Sequence, residues 1–164
     1  MKPAPGQADD GKTSGGRGVR RPSRGKTSKN SLKEVIEDAL APLADRPKSY
    51  CEFAKVGTIQ ADAIKAATGL DVEGFSHTVE EDDLRHTWKR HGPSGTADCT
   101  VTKEDIERIP QIVMSPDEVR IGKRPGTIEY RKNEGGNWIV VEEERRTARL
   151  LIFKTMYKEK ATHS

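Results

Sequence analysis

Apolar positions in the first two thirds of the chain recur every three to four residues, the spacing that places them on one face of a helix. The sequence SLKE at 31–34 has the pattern of a capping box, and Pro42 ends the helix that it opens. A second helix is predicted over 58–68. A third is predicted from about 79 to 91, where the sequence TVEE at 78–81 resembles another capping box and acidic residues precede basic ones. The sequence TKED at 102–105 opens a further short helix.

The period changes to two in the last 45 or so residues, which predicts β-strands. Segments 119–121, 127–132, 138–144 and 149–157 are the expected strands, and their connections are so short that neighbours must be antiparallel. Two earlier segments, 50–56 and 75–79, are candidates for short strands. We therefore expect an α+β fold in which N-terminal helices pack on a four-stranded antiparallel meander sheet.

Charge divides the 164 residues into two parts. Residues 1–30 carry eight Lys or Arg and two acidic residues, whereas residues 31–164 carry 21 basic and 24 acidic residues. Because the first part has few apolar residues, we expect 1–30 to be a disordered basic tail and 31–164 to be a single domain. The tail is interpreted either as a linker or as an arm that holds nucleic acid non-specifically.

No apolar run reaches the length of a membrane span, and no apolar segment of a secretory signal follows the basic N-terminus. The two cysteines, Cys51 and Cys99, have no metal-ligand spacing. These features predict a soluble protein of a reducing compartment, or a piece of a longer one, with a cytoplasmic location and no membrane partner.

Two of the four histidines, His86 and His91, lie within the sequence LRHTWKRHG at 84–92. Their i, i+5 spacing separates them by about 140° on a helix, which disfavours the i, i+4 chelation of a metal ion. No metal site is therefore predicted. The plain interpretation is an exposed His86 and a His91 that bonds the last carbonyls of the helix. The alternative is a pair of acid and base groups.

The last predicted strand ends in polar side chains that follow an apolar run. Thr155 and Tyr157 are expected to point to the same face as Leu151 and Phe153, because strand side chains alternate. They are either ordinary residues that favour strands or hydrogen-bonding groups of a site. Residues 142–144, three glutamates, are interpreted as solvated or paired across strands, with a catalytic glutamate among them as the alternative.

Three stretches, HTWKRHG at 86–92, IPQIVMSPD at 109–117 and TMYK at 155–158, together resemble the phage-associated nuclease domains of the Barnase/EndoU/colicin/RelE superfamily. Such domains occur at the C-terminus of Mu F-type head morphogenesis proteins and in bacterial toxins. The resemblance covers about residues 50–158. It implies an active site at the sheet surface beside a helix. It also implies a metal-independent endoribonuclease, without a cofactor, in which the RNA 2′-OH attacks phosphorus to give a 2′,3′-cyclic phosphate.

The residue types fit this chemistry, which needs a base, an acid and positive charge around one phosphate. Imidazoles can be base or acid near neutral pH, and which histidine has which role is left open. Because of the 140° separation, we expect that the helix unwinds before Gly92 or that only one histidine touches the phosphate. The expected catalytic residues are His86, His91, Thr155 and Tyr157. The expected substrate-binding residues are Arg85, Lys89, Arg90, Lys154 and Lys158.

The expected partners are RNA and a cognate immunity or inhibitor protein. Association with a phage particle, or delivery into the cytoplasm of a target cell, would be consistent with the resemblance. Two other functions are kept open: a catalytically inactive nucleic-acid-binding or particle-associated module of the same fold, and an interaction protein whose basic tail binds DNA.

Overall fold

The computed structural model describes residues 26–43, 45–95 and 100–159. Strands and helices alternate in its first half, and strands alone fill the last 42 described residues. The elements are β1 (Thr27–Ser28), α1 (Leu32–Leu40), β2 (Ser49–Lys55), α2 (Thr58–Thr68), β3 (Ser76–Glu80), α3 (Glu81–His91), α4 (Lys103–Glu107), α5 (Ile109–Met114), β4 (Glu118–Ile121), β5 (Thr127–Asn133), β6 (Asn137–Arg145) and β7 (Leu150–Glu159).

These strands form one mixed seven-stranded sheet in the order β1-β2-β3-β7-β6-β5-β4. The fold class is α+β, but the expected four-stranded antiparallel meander is wrong. Strands β4 to β7 pair antiparallel, and β3 then pairs with β7 in parallel through Ser76, His77 and Thr78. The expectation of N-terminal helices is also wrong, because three helices lie between β3 and β4.

The larger sheet has a physical reason. Short connections predict pairing only between strands that follow each other in the sequence. Strands β3 and β7 are far apart in the sequence, yet they pair, for example through Ser76 and Leu150. A long apolar strand such as β7 would expose unpaired backbone groups at a sheet edge, which favours aggregation. Pairing with β3 covers the first part of that edge. The β1 pair, Thr27 with Ser49 and Ser28 with Tyr50, extends the other end of the sheet.

Residues 1–25 of the expected tail lie outside the described residues, so for them disorder stays a prediction. Thr27 and Ser28, which that expectation also covered, form β1. No helix among the residues that the structure describes is both long and apolar enough to cross a membrane.

Helix α3 follows β3 without a loop and runs beside the second half of β7. Asp83, in its first turn, contacts Lys154 of β7, and His91, at its end, contacts Tyr157. Strand β3 pairs only with the first residues of β7. Helix α3 therefore lies beside the part of β7 that follows them. This brings the imidazole-bearing helix and the end of the last strand together.

The first turn of α3 is held by Glu81, whose side chain is buried. It accepts hydrogen bonds from Arg46, from Arg85 and from the backbone N–H of Ser49. Burial alone would raise the pKa of Glu81, but these donors outweigh it and lower the pKa to about 2. Arg85 also donates to the Asp38 carbonyl near the end of α1. Its guanidinium therefore ties α3 to α1.

Replacing Glu81 with glutamine is expected to lower the free energy of unfolding by roughly 2–4 kcal/mol at neutral pH. A carboxylate whose pKa is lowered by folding stabilises the folded protein at pH values above its unfolded pKa, here 4.5. This contribution to stability is lost as the pH falls through the folded-state pKa of about 2. Urea unfolding of wild type and variant across this range should therefore give curves that converge at acid pH. Glu37→Gln, an exposed change on α1, is the control. A difference that is independent of pH would contradict the account.

A second carboxylate is buried in the core. Glu142 of β6 accepts hydrogen bonds from the Tyr130 hydroxyl at 2.7 Å and from the His77 ring at 2.8 Å. The other ring nitrogen of His77 bonds Gln60 of α2, which in turn donates to the Val113 carbonyl of α5. The interpretation of Glu142 as solvated is wrong, because its side chain is 1% exposed. The network links β3, β5 and β6 to two helices on the core face of the sheet.

Candidate functional site

A cleft of about 640 Å³ opens between α3, the sheet and the connection between β4 and β5. The helix, the three strands β5 to β7 and that connection all contribute side chains. The lining residues are Asp83, His86, Arg90, His91, Lys123, Arg124, Thr127, Glu129, Val141, Glu143, Lys154, Thr155 and Tyr157. All four expected catalytic residues are among them. The structure thus brings both histidines, the threonine and the tyrosine to one cavity, and their catalytic roles stay a prediction.

A β-bulge in β7 is responsible for the orientation of the strand residues. Val141 pairs with Thr155 and Glu142 with Phe153, so Lys154 is an extra residue without a partner. Met156 consequently joins Leu151 and Phe153 in the core, while Thr155 and Tyr157 face the cleft. The expectation that Thr155 and Tyr157 share a face with Leu151 and Phe153 is therefore wrong, because it assumed unbroken alternation.

His91 lies at the end of α3 with its ring stacked on Tyr157, at 5.9 Å between centroids and 28° between planes. Burial lowers the pKa of His91, and the positive charge of Arg90 and the proximity of His86 lower it further. Its Nδ1 is buried and has no hydrogen-bond partner among the described residues. A neutral imidazole is therefore favoured at the closed end of the cleft.

His86 is exposed at the outer side of the same cleft. The helix stays regular up to His91, so it does not unwind before Gly92 as one of the two expectations had it. Both imidazole rings reach the cavity because the cavity lies along a broad side of α3 and not along one narrow face. On a wheel of 100° per residue, His86, Arg90, Asp83 and His91 span an arc of about 140°. The two histidines mark the ends of this arc.

Four cationic side chains line the cleft. Lys154 is 3.2 Å from Asp83, whose pKa is raised by burial despite this pairing. Arg90, Lys123 and Arg124 also line the cavity, and none of them forms an ion pair with a carboxylate of the described residues. Lys123 and Arg124 were not among the expected site residues, because residues 122–126 were predicted only to connect two strands. The basic composition of that connection, GKRPG, was the signal available.

The other three expected cations lie outside the cleft. Arg85 is used between α3 and α1, as described above. Lys89 is exposed and is not among the lining residues. Lys158 lies 5.1 Å from the centroid of the Trp138 ring, and Trp138 is buried. Of the expected substrate-binding residues, only Arg90 and Lys154 line the cavity.

Carboxylates also line this cleft: Glu143, one of the three glutamates at 142–144, and Asp83 and Glu129, for which no role was expected. Glu129 and Glu143 stand on its sheet floor, at positions where β5 and β6 present alternate side chains to it. The expected absence of a metal site stays a prediction. Among the described residues, no three His, Cys, Asp or Glu side chains are grouped so that they could hold a metal ion.

Imidazoles, hydroxyls and cations in one cleft are the side chains that suit a protein acting on phosphate esters. The family comparison agrees: residues 54–164 match the model of the phage-Barnase-EndoU-ColicinE5/D-RelE like nuclease3 family, and the chain belongs to this family of phage-associated nucleases. The resemblance inferred from the sequence is thereby confirmed. The match spans every residue of the cleft. No curated protein and no solved structure gave a match.

Proposed function

We propose that this nuclease domain is a metal-independent endoribonuclease that cleaves RNA through its 2′-hydroxyl. The observation that carries the proposal is the meeting of His86, His91, Thr155 and Tyr157 in one cleft. Two imidazoles can supply an acid and a base without a metal ion. Attack of the 2′-hydroxyl on the neighbouring phosphorus needs both an acid and a base.

We assign the base to His91 because its lowered pKa keeps the ring neutral near pH 7. It takes the proton from the 2′-OH, and the 2′-oxygen forms a bond to phosphorus. The bond from phosphorus to the 5′-oxygen breaks, and protonated His86 gives its proton to that oxygen. The products are a 2′,3′-cyclic phosphate and a 5′-hydroxyl, so protons and charge balance.

Hydroxyl and cationic groups would stabilise the charge on the phosphoryl oxygens. Burial raises the pKa of Tyr157, so its hydroxyl remains a donor. Thr155 supplies a second hydroxyl from the same strand. Arg90, Lys123, Arg124 and Lys154 line the same cavity and are the proposed phosphate contacts.

RNA incubated with the protein in EDTA tests this function. The expected products carry 2′,3′-cyclic phosphate and 5′-hydroxyl ends, which mass spectrometry distinguishes from 3′-hydroxyl and 5′-phosphate ends. Cleavage that requires added Mg²⁺, or the second set of ends, would contradict the mechanism. Binding of RNA without cleavage would favour the alternative of an inactive nucleic-acid-binding module.

Replacing Arg90 with glutamine is expected to change the pH profile of cleavage. With His91 as base, kcat/KM rises with pH as its ring loses a proton. The Arg90 charge is one cause of the lowered pKa of His91, so its removal raises that pKa and moves the acid limb to higher pH. The rate at the plateau also falls, because a proposed phosphate contact is lost. Initial rates across the acid limb measure both effects. A lower plateau with an unmoved acid limb would argue against His91 as the base.

The proposed location of action is a cytoplasm that contains RNA, and a cognate inhibitor is a proposed partner. Because four cationic side chains line the cleft, we propose that such an inhibitor presents acidic side chains to them.

A further inference from the structure

Thr87 of α3 is fully buried, and its hydroxyl has no hydrogen-bond partner among the described residues. A threonine inside a helix often donates its hydroxyl to the carbonyl of the residue four positions earlier, here Asp83, but Thr87 makes no such bond. A buried hydroxyl without a partner lowers stability, because it has lost its hydrogen bonds to water. The hydroxyl of Thr87 is therefore free to bond another group that lies close to it.

Such a group belongs to His91, whose Nδ1 is also buried without a partner among the described residues. Thr87 and His91 are four positions apart on one helix, so their Cβ atoms lie about 5–6 Å apart on successive turns. At 100° per residue, Thr87 is about 40° from His91 and lies inside the arc between the two histidines. Long side chains of a helix lean toward its N-terminus, which brings the imidazole toward Thr87.

The proposed role of His91 makes a demand on this nitrogen. Because Nδ1 is buried, Nε2 is the nitrogen that takes the proton of the 2′-OH. A neutral imidazole whose Nε2 is free to accept must carry its hydrogen on Nδ1. The hydrogen bond that the second nitrogen makes decides which tautomer is present, and a base of this kind is usually oriented by a third group. The hydroxyl oxygen of Thr87, one helical turn away, can accept this hydrogen.

We infer that Thr87 is a positioning residue that holds His91 in the tautomer with its hydrogen on Nδ1. The bond runs from Nδ1–H to the Thr87 oxygen, through one water or directly after a small rotation of the ring. This inference deepens the proposed ribonuclease function, in which His91 is the base. Thr87 is not among the residues that line the cleft, so it acts on the reaction through the imidazole and does not touch the substrate.

Nitrogen-15 NMR of the imidazole rings tests the inference without RNA. At a pH where the ring is neutral, His91 of the wild type should carry its hydrogen on Nδ1, and its signals are those that His91→Ala lacks. Thr87→Val removes the hydroxyl and keeps the size of the side chain, so it should shift His91 toward the Nε2–H form that a free imidazole prefers. Thr87→Ser should keep the wild-type tautomer. Thr58→Val, the same exchange at an exposed position of α2, is the control.

Single-turnover cleavage gives the second readout. Thr87→Val should slow the chemical step roughly 10-fold, the equivalent of about one hydrogen bond, with little change in substrate binding, and Thr87→Ser should restore most of the rate. Thr87→Ala repeats the test if Thr87→Val does not fold.

The tautomer separates this inference from the proposed function. An Nδ1–H ring that depends on the Thr87 hydroxyl supports the inference even if no RNA is cut, which would refute only the ribonuclease function. An Nε2–H ring in the wild type, or an unchanged tautomer in Thr87→Val, overturns the inference and leaves the ribonuclease function standing. Equal slowing by Thr87→Ser and Thr87→Val also overturns it.

Discussion

Replacing His91 with alanine is expected to slow RNA cleavage by about 10²–10⁴-fold, the usual contribution of a positioned general base. His91 is the cleft imidazole whose environment favours the neutral ring, since burial, Arg90 and His86 all lower its pKa. Single-turnover rates on a short RNA measure the chemical step. The loss should be in the rate of that step more than in substrate binding, because His91 is proposed to act in the transition state.

A folding defect has to be separated from a lost base, because His91 also stacks on Tyr157. Added imidazole should restore part of the activity of His91→Ala by entering the space that the ring leaves, and a mere packing defect would not respond in this way. Glu107→Gln, an exposed change on α4, is the control and should cut at the wild-type rate. Full activity of His91→Ala with an intact thermal unfolding profile would remove His91 from the mechanism.

Replacing His77 with leucine is expected to lower the free energy of unfolding by about 3–5 kcal/mol, the cost of breaking a buried pair by removing one partner. The Glu142 carboxylate would retain one hydrogen bond in a fully buried place, that from Tyr130. Water cannot replace the imidazole there. Urea unfolding at neutral pH, analysed with an unchanged m-value, measures the difference.

The double variant His77→Leu, Glu142→Leu supplies the control. It removes the carboxyl group together with its partner, so it should be less destabilised than the sum of the two single variants. The Tyr130 hydroxyl and Gln60 would still lose partners, which keeps the double variant below wild type. Strictly additive losses would mean that the hydrogen-bonded side chains of His77 and Glu142 contribute no interaction energy to stability. Because the network lies beneath the bulge of β7, both single variants should also reduce nuclease activity.

The local signals of helix ends were largely readable from the sequence. Ser31 accepts a hydrogen bond from the Glu34 backbone N–H, and Thr102 forms the full capping box with Asp105. The box predicted at 78–81 is wrong, since Thr78 lies inside β3 and bonds the Ser76 carbonyl. Ser31 is thus a simple N-cap, and only the Thr102 motif forms both bonds of a capping box. The box at 78–81 fails because the pattern cannot distinguish a helix cap from a strand that runs directly into a helix.

The parts that failed depend on distant contacts. The pairing of β3 with β7 joins residues more than 70 positions apart, and neither strand has a turn signal that points to the other. The bulge at Lys154 adds one residue, which reverses the face of everything after it. Helical spacing did identify His86 and His91. The spacing does not predict that a cleft lies along the side of α3 between the two histidines. Nor does it predict that the β4–β5 connection brings Lys123 and Arg124 to the same cavity.

A DNA oligonucleotide that contains a single ribonucleotide tests whether the 2′-hydroxyl is the attacking group, since only one phosphodiester then has a neighbouring 2′-OH. With EDTA present, the wild type should make one cut, on the 3′ side of the ribonucleotide, and leave a cyclic phosphate. The all-deoxy strand should remain intact. Cuts at deoxynucleotides, or equal cleavage of both strands, would contradict attack by the 2′-hydroxyl in the cleft between α3 and β7.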